Sequence, residues 1–441
     1  MSHTWVGIVA AIVGLGIMVF VHEWGHFMAA RICGVRVDVF SLGYGNRIFG
    51  WKRGNTDYRI SVFPLGGYVK MAGDNPAEER SGAPDEFLAK PRWQRLFVIL
   101  AGPFMNFVLA FVLLWGLYNV GIPVPKYTHQ PAVVAGVPPN SPVAAAGIQA
   151  GDKIVAIDNT PVSNWGDAVS APSVIPGKEI SVQFERNGKT LSAKIKIPQD
   201  LTDASNVLGF PKERVIVDAV DRGLPAAKAG LKTGDEIASV DGTPPADFAA
   251  VQNLIQNSPG KPVHLLVRRN GAEIPMTMTP VDTDPGDGGG KRWVVGYTHI
   301  TETVRESYPF FAAAAQSWDR NVTMTRQILS VVGALVAGKM SIKSLAGPVG
   351  IVQMSTEAAK LGFAEYIIFM AFLSVDLGIL NLLPIPILDG GHVLMLAIEG
   401  SLRRDLSIAV KERFVTVGLV FLLAVFGFVM YYDVVRLLPG H

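Results

Sequence analysis

Residues His22-Glu23-Trp24-Gly25-His26 read H-E-x-x-H. On a helix, positions i and i+4 share a face, so both imidazoles can reach one ion. The intervening glutamate stands on a neighbouring face, where its carboxylate can meet a water held by that ion. This pattern fits hydrolysis assisted by zinc, in which the metal lowers the pKa of the water toward 7 and Glu23 takes its proton as it attacks a carbonyl. Two imidazoles and a carboxylate inside an apolar stretch are costly, so their presence calls for a function. A structural zinc site in a non-catalytic membrane receptor or scaffold is the competing reading. It leaves Glu23 without a role, because a closed site needs no carboxylate beside an open position.

A catalytic zinc takes a third protein ligand and keeps a fourth position for water. The acidic residues in or near the other apolar segments are Glu365, Asp376, Asp389, Glu399 and Asp433. If residue 4 lies at one membrane face, His22 lies about 27 Å deeper, close to the opposite face. A third apolar segment runs in the same direction from Phe363, and Asp389 follows it at matching depth. Glu365 and Asp433 fall at the wrong end, Asp376 is mid-span, and Glu399 lies farther into the next loop. Asp389 is therefore the expected ligand. Its setting, Asn381-Leu-Leu-Pro384-Ile-Pro386-Ile-Leu-Asp389-Gly390-Gly391-His392, cannot continue as a regular helix, since each proline lacks an N–H and pushes its predecessor toward extended geometry. Irregular backbone at membrane depth is tolerated where it is buried in protein or lines a wet cavity.

The elements that must position these residues are long apolar helices. The 441-residue chain is 49% hydrophobic and only 17% charged, against roughly 25% in soluble domains. Four segments are expected to span a membrane: about 5–30, 96–122, 363–383 and 414–431. Pro309 to Gly338 is interrupted by Asp319, Arg320 and Arg326, and is expected to be an interfacial or packed helix. Lys and Arg concentrate between the first two spans (Arg31, Arg36, Arg47, Lys52, Arg53, Arg59, Lys70, Arg80, Lys90, Arg92, Arg95) and between the last two (Arg403, Arg404, Lys411, Arg413). The positive-inside rule makes both loops cytoplasmic, so that both termini and the long middle stretch face the periplasm of a bacterial inner membrane. A net charge of +2 without a basic stripe gives no reason to expect nucleic acid. A single cysteine, Cys33, excludes an intramolecular disulfide and a Cys-rich metal site.

The middle stretch is duplicated. Pro142 to Ile148 matches Pro225 to Leu231, Gly151-Asp152 matches Gly234-Asp235, and Arg186-Asn187-Gly188 matches Arg269-Asn270-Gly271, all at one constant offset. The Asn-Gly pairs between alternating runs predict hairpins. The pattern P-x-x-x-A-G-(I/L)-x-x-G-D-x-I resembles bacterial PDZ domains, which bind peptides by adding a strand to a sheet edge; the alternative role is a steric filter with no ligand.

H-E-x-x-H in the first span, N-x-x-P-x-P-x-L-D-G-G after the third, and tandem PDZ copies between them resemble the site-2 protease family over almost the whole chain. The resemblance implies zinc held by His22, His26 and Asp389, with Glu23 as general base. It also implies cleavage of single-pass membrane proteins after another protease has trimmed them: anti-sigma factors, with signal-peptide remnants as a further substrate class. Val39 to Met71 resembles that family's membrane-reentrant β-loop, and Gly102-Pro103 with Asn106 an element packed against the zinc helix. Close relatives usually carry Asn where this chain has Asp376. Asn381 and Asp376 are expected to position substrate, and the alternating stretch Tyr58 to Phe63 to offer an open strand edge for it. The expected architecture is a polytopic α-helical membrane protein of four spans, with a cytoplasmic membrane-reentrant β element and two periplasmic PDZ-like domains. Its parts are a first membrane part (1–126), two PDZ-like domains (127–209 and 210–300), a helical linker (301–360) and a second membrane part (361–441).

Overall fold

The computed structural model describes residues 2–74, 82–137, 141–169, 171, 178–197, 205–209, 211–243, 245, 248–283, 292–338 and 347–436. They form two compact units, one of residues 1–122 with 306–441 and one of residues 123–305.

The first unit is built on helices α1 (Ser2–Ile32), α2 (Arg92–Val120), α3 (Phe310–Val336), α4 (Pro348–Leu361), α5 (Phe363–Leu382), α6 (Asp389–Leu402) and α7 (Ile408–Arg436). Four of these, α1, α2, α5 and α7, are long and apolar enough to cross a membrane. The last extends well before the expected start at 414. Helix α3 is the packed helix its charges predict: Ala313, Ser317, Asn321, Met324 and Ile328 recur at helical spacing and form its buried stripe. Met324 and Ile328 share a core with Ala110 and Leu114 of α2 and with Ala371, Val375 and Ile379 of α5. Much of α7 is exposed, and near its end Asp433 accepts hydrogen bonds from the amides of Gly347, Val349 and Gly350, each at 3.1 Å. Those amides are the otherwise unpaired donors at the start of α4, so one helix caps another.

Between α1 and α2, strands β1 (Val37–Arg53) and β2 (Thr56–Met71) are each bent into two legs. Leg 56–63 pairs with 47–53 on one side and with 39–44 on the other, while 37–42 also pairs with 67–71. The spatial order is 47–53, 56–63, 37–44, 66–71. This corrects one expectation: Tyr58–Phe63 is an interior leg with neighbours on both sides and offers no open edge. The outer legs are 47–53 and 66–71, and on the latter the Met71 amide donates to Asp74 at 2.9 Å. Ile48, Phe49, Trp51 and Phe63 are exposed along the sheet, while Phe40 turns inward and meets Phe27 of α1 edge-on at 5.2 Å.

In the second unit the duplication is visible strand by strand. Strands β3 (Lys153–Ile157), β4 (Glu179–Arg186) and β5 (Lys189–Lys196) recur as β7 (Glu236–Val240), β8 (Val263–Arg269) and β9 (Ala272–Met278). Strands β6 (Ile216–Val220) and β10 (Tyr297–Ile300) complete the second sheet, of order β9-β8-β7-β6-β10. Both hairpins turn on Asn-Gly with positive φ at both residues, as a tight right-twisted hairpin requires. Each copy has its own core. Each also repeats one ion pair, Arg186 to Asp152 at 2.6 Å and Arg269 to Asp235 at 2.7 Å.

Candidate metal centre

The helical spacing of His22 and His26 puts their Nε2 atoms 3.2 Å apart. Asp389 Oδ2, from the start of α6, lies 3.1 Å from His22 Nε2 and 3.5 Å from His26 Nε2. These are the one group of His, Cys, Asp or Glu side chains among the described residues whose donor atoms converge as metal ligands would. Ligands at about 2.0–2.1 Å around a tetrahedral zinc stand about 3.3 Å from one another, so the triangle has the edges that such an ion needs. Asp389 Oδ2 is buried and receives no well-directed hydrogen bond, an acceptor left for a cation to satisfy.

Both imidazoles are held from behind. His26 Nδ1–H donates to the Val98 carbonyl at 2.8 Å, which leaves the Nε2 lone pair facing the site. His22 Nδ1 lies 3.2 Å from the amide nitrogen of Asn106, and Asn106 Oδ1 is buried without a partner. The two amide atoms are distinguished by their hydrogen bonds alone. Turned over, the amide lets Oδ1 accept from Nδ1–H, which satisfies both groups and directs the His22 Nε2 lone pair inward. Close approach of α1 and α2 makes this possible: a Cβ on Gly102 would overlap the His26 ring, and one on Gly25 would overlap the Ala101 carbonyl.

Asp389 is delivered by a compact reversal. Helix α5 ends at Leu382, Leu383 is extended ahead of Pro384, and Pro386 and Ile387 form a turn in which the Leu388 amide donates to the Ile385 carbonyl at 3.2 Å; Ile387 takes φ +82°, a conformation β-branched residues rarely adopt. A side chain at Gly390 would overlap the carbonyls of Leu382 and Leu383, and one at Gly391 the carbonyl of Ile385. Asp389 then opens α6 at its first turn, where the helix dipole favours a carboxylate.

The sequence matches Peptidase family M50 over residues 10–425. The chain belongs to peptidase family M50. It is similar over full length to curated members: the regulator of sigma-E protease RseP of Salmonella typhimurium, 33% identical over 99% of this chain and 100% of the relative, and its Escherichia coli counterpart, 32% identical with the same coverage. A Neisseria meningitidis protein whose name describes a zinc metalloprotease is 32% identical, again over 99% and 100% of the two chains. The chain is thus a metalloprotease.

In this M50 protease His22, His26 and Asp389 open into a cavity of about 1020 Å³, whose lining includes Glu23, Asn381, His392 and, from the outer β leg, Gly66, Gly67, Tyr68, Val69 and Met71. Glu23 is packed against that leg: a Cβ on Gly67 would stand 3.1 Å from Glu23 Cγ. His392 lines the cavity without joining the three converging donor atoms. Asp376 is half-buried on α5 and is not part of the lining, unlike Asn381 one turn further on. The Val98 carbonyl and the close approach at Gly25 carry no signal in the sequence, because a backbone acceptor and a helix crossing are set by packing alone. Glu399, Arg95 and Lys411 reach the same cavity, although the sequence ranks Glu399 only as a rejected ligand and the two cations only as topology markers.

Proposed function

We propose that this M50 protease hydrolyses peptide bonds in or near the transmembrane segments of single-pass membrane proteins, with zinc held by His22, His26 and Asp389 and with Glu23 as general base. The observation that carries the reading is the triangle of three donor atoms beside Glu23 in one cavity. Bound zinc supplies a Lewis acid that acidifies a water and polarises a carbonyl. His26 and His22 are kept in the ligating tautomer by Val98 and Asn106. Glu23 accepts the proton of the attacking water on its carboxylate and returns it to the leaving amine.

Substrate must lose its helix first, because each scissile carbonyl in a transmembrane helix is engaged in an i to i−4 bond. Unwinding in lipid leaves polar groups unsatisfied at several kcal/mol each. The start of the outer leg, Gly66 and Gly67, lines the cavity and offers its backbone for strand addition to an extended segment. Asn381, which lines the same cavity, donates and accepts through its side-chain amide. The exposed Ile48, Phe49, Trp51 and Phe63 support insertion of the β element into lipid from the cytoplasmic face.

The distribution of Lys and Arg supports an inner-membrane topology with both termini and the duplicated unit in the periplasm, and the active site near the cytoplasmic face. The two copies are PDZ-like modules that bind peptide or exclude bulky substrates. We read the substrate as an anti-sigma factor cut after a first periplasmic cleavage, with clearance of signal-peptide remnants as a second use of the same site; relatives named as regulators of sigma E fit this reading. The decisive experiment compares the membrane proteome of cells carrying wild-type protein or Glu23→Gln. Membrane-bound stubs are expected to accumulate in the variant, and identical proteomes would overturn the substrate class.

A further inference from the structure

At the far end of the metal cavity stands a buried charge cluster that the hydrolytic machinery does not use. Glu399, on the last turns of α6, is 1% exposed. Its Oε1 accepts from Lys411 Nζ at 2.7 Å and from the Leu406 amide at 3.1 Å. Arg95 of α2, 6% exposed, reaches the other carboxylate oxygen only at 3.9 Å, and its Nε–H is buried with no hydrogen-bond partner. All three residues line the cavity that holds His22, His26 and Asp389.

Buried Arg95 and Glu399, with the largely buried side chain of Lys411, carry two positive charges and one negative. Glu412 also lines the cavity but is exposed, so water screens it. Asp74 lines it too, with its carboxylate accepting from the Met71 amide. A buried cation lacking full compensation is costly, and a buried guanidinium with an orphaned donor is the more so. Planar guanidinium donors match a carboxylate in two-point geometry. We propose that Arg95 and Lys411, oriented by Glu399, form a subsite for an acidic side chain of the substrate. Glu399 lies ten positions beyond Asp389 on one helix, about 15 Å along its axis. An extended chain covers that distance in about four or five residues, so the acidic residue sits at that remove from the scissile bond. The subsite rests on the proteolytic reading of the cavity and names a substrate feature which that reading leaves open.

The test uses the full-length protein in neutral detergent and transmembrane peptides in which a single Glu, or Gln as control, is walked three to six residues from the scissile bond on either side. Two quantities are read: kcat/KM with wild type, and Kd with Glu23→Gln, which reports binding without turnover. At one register Glu is expected to exceed Gln by about tenfold or more. The ratio should fall toward one in Arg95→Gln and in Lys411→Gln and be kept in Lys411→Arg; should Arg95→Gln fail to fold, the two Lys411 variants carry the comparison. A Kd preference without cleavage of any peptide would uphold the subsite while overturning the proteolytic reading. Equal affinity for Glu and Gln peptides at every register would overturn the subsite. If phosphatidylglycerol were then retained through Arg95, the cluster would be reassigned to lipid headgroups.

Discussion

His26 donates its Nδ1 proton to the carbonyl of Val98, 2.8 Å away and 72 positions along the chain. The bond ties an imidazole of α1 to the backbone of α2, and it exists because Gly102, one turn further on, leaves room for the ring. Gly102→Ala alters no ligand, yet its methyl group would displace the imidazole. We expect zinc affinity to fall by about 10- to 100-fold, the size of losses when a ligand's support is disturbed. Metal analysis of the purified variant checks this, and an unchanged zinc content would show that His26 tolerates the displacement.

Glu23→Gln should keep its metal and lose turnover by at least about 10²-fold, since an amide cannot take up a proton from water. Replacing His22, His26 or Asp389 by Ala should weaken metal binding as well. The discriminating measurement is zinc stoichiometry beside peptide cleavage; a glutamine variant with substantial activity would remove Glu23 from the mechanism.

Asn381→Leu is expected to lower cleavage of a stable transmembrane helix while sparing zinc affinity, because the leucine offers nothing to an unwound backbone. Substrates carrying helix-breaking residues near the scissile bond should recover part of the loss. Wild-type rates on both substrate types would end the unwinding role of this residue. The stretch Tyr58–Phe63 sits inside the sheet, where Ser61 hydrogen-bonds Ser41 at 3.0 Å. Proline there should destabilise the β element itself.

Asp433 caps α4 from the end of α7 through three amides. Asp433→Ala should cost about 1–2 kcal/mol, the range of a lost helix cap, read as a lower unfolding temperature in detergent. An unchanged melting temperature would show that the neighbouring contacts hold α7 without it.

Within the duplicated unit, burial pushes the Asp235 carboxyl up, but hydrogen bonds from Arg269 and the Lys232 amide outweigh it and hold the group below the usual carboxylate range. A depressed folded-state pKa stabilises the fold above the unfolded value of about 3.9, and that stability is lost as pH falls through the folded value. Hydrogen-exchange protection factors over residues 216–278 should therefore fall below about pH 4, where the unfolded carboxyl begins to gain protons. Arg269→Met should show the weakened protection already at neutral pH. Acid-insensitive exchange in the wild type would contradict the linkage.

Local spacing makes the H-E-x-x-H helix legible from the residues alone. His22 and His26 must share a face wherever the segment is helical, and counting residues along two spans is enough to bring Asp389 to their depth. The duplicated hairpins are equally local, since Asn187-Gly188 and Asn270-Gly271 carry the turn geometry themselves. The order of the β legs is different in kind. Alternation marks Tyr58–Phe63 as strand, but whether a strand is interior or edge depends on which distant segments lie beside it, and 39–44 and 47–53 occupy both sides. Likewise Asn106, Val98 and Gly102 meet the histidines only because two helices cross closely, and Arg95, Glu399 and Lys411 meet only where three helices converge. Those contacts join residues up to hundreds of positions apart; their free energy comes from packing and desolvation at the point of contact, which no periodicity in the chain records, so only the tertiary structure decides them.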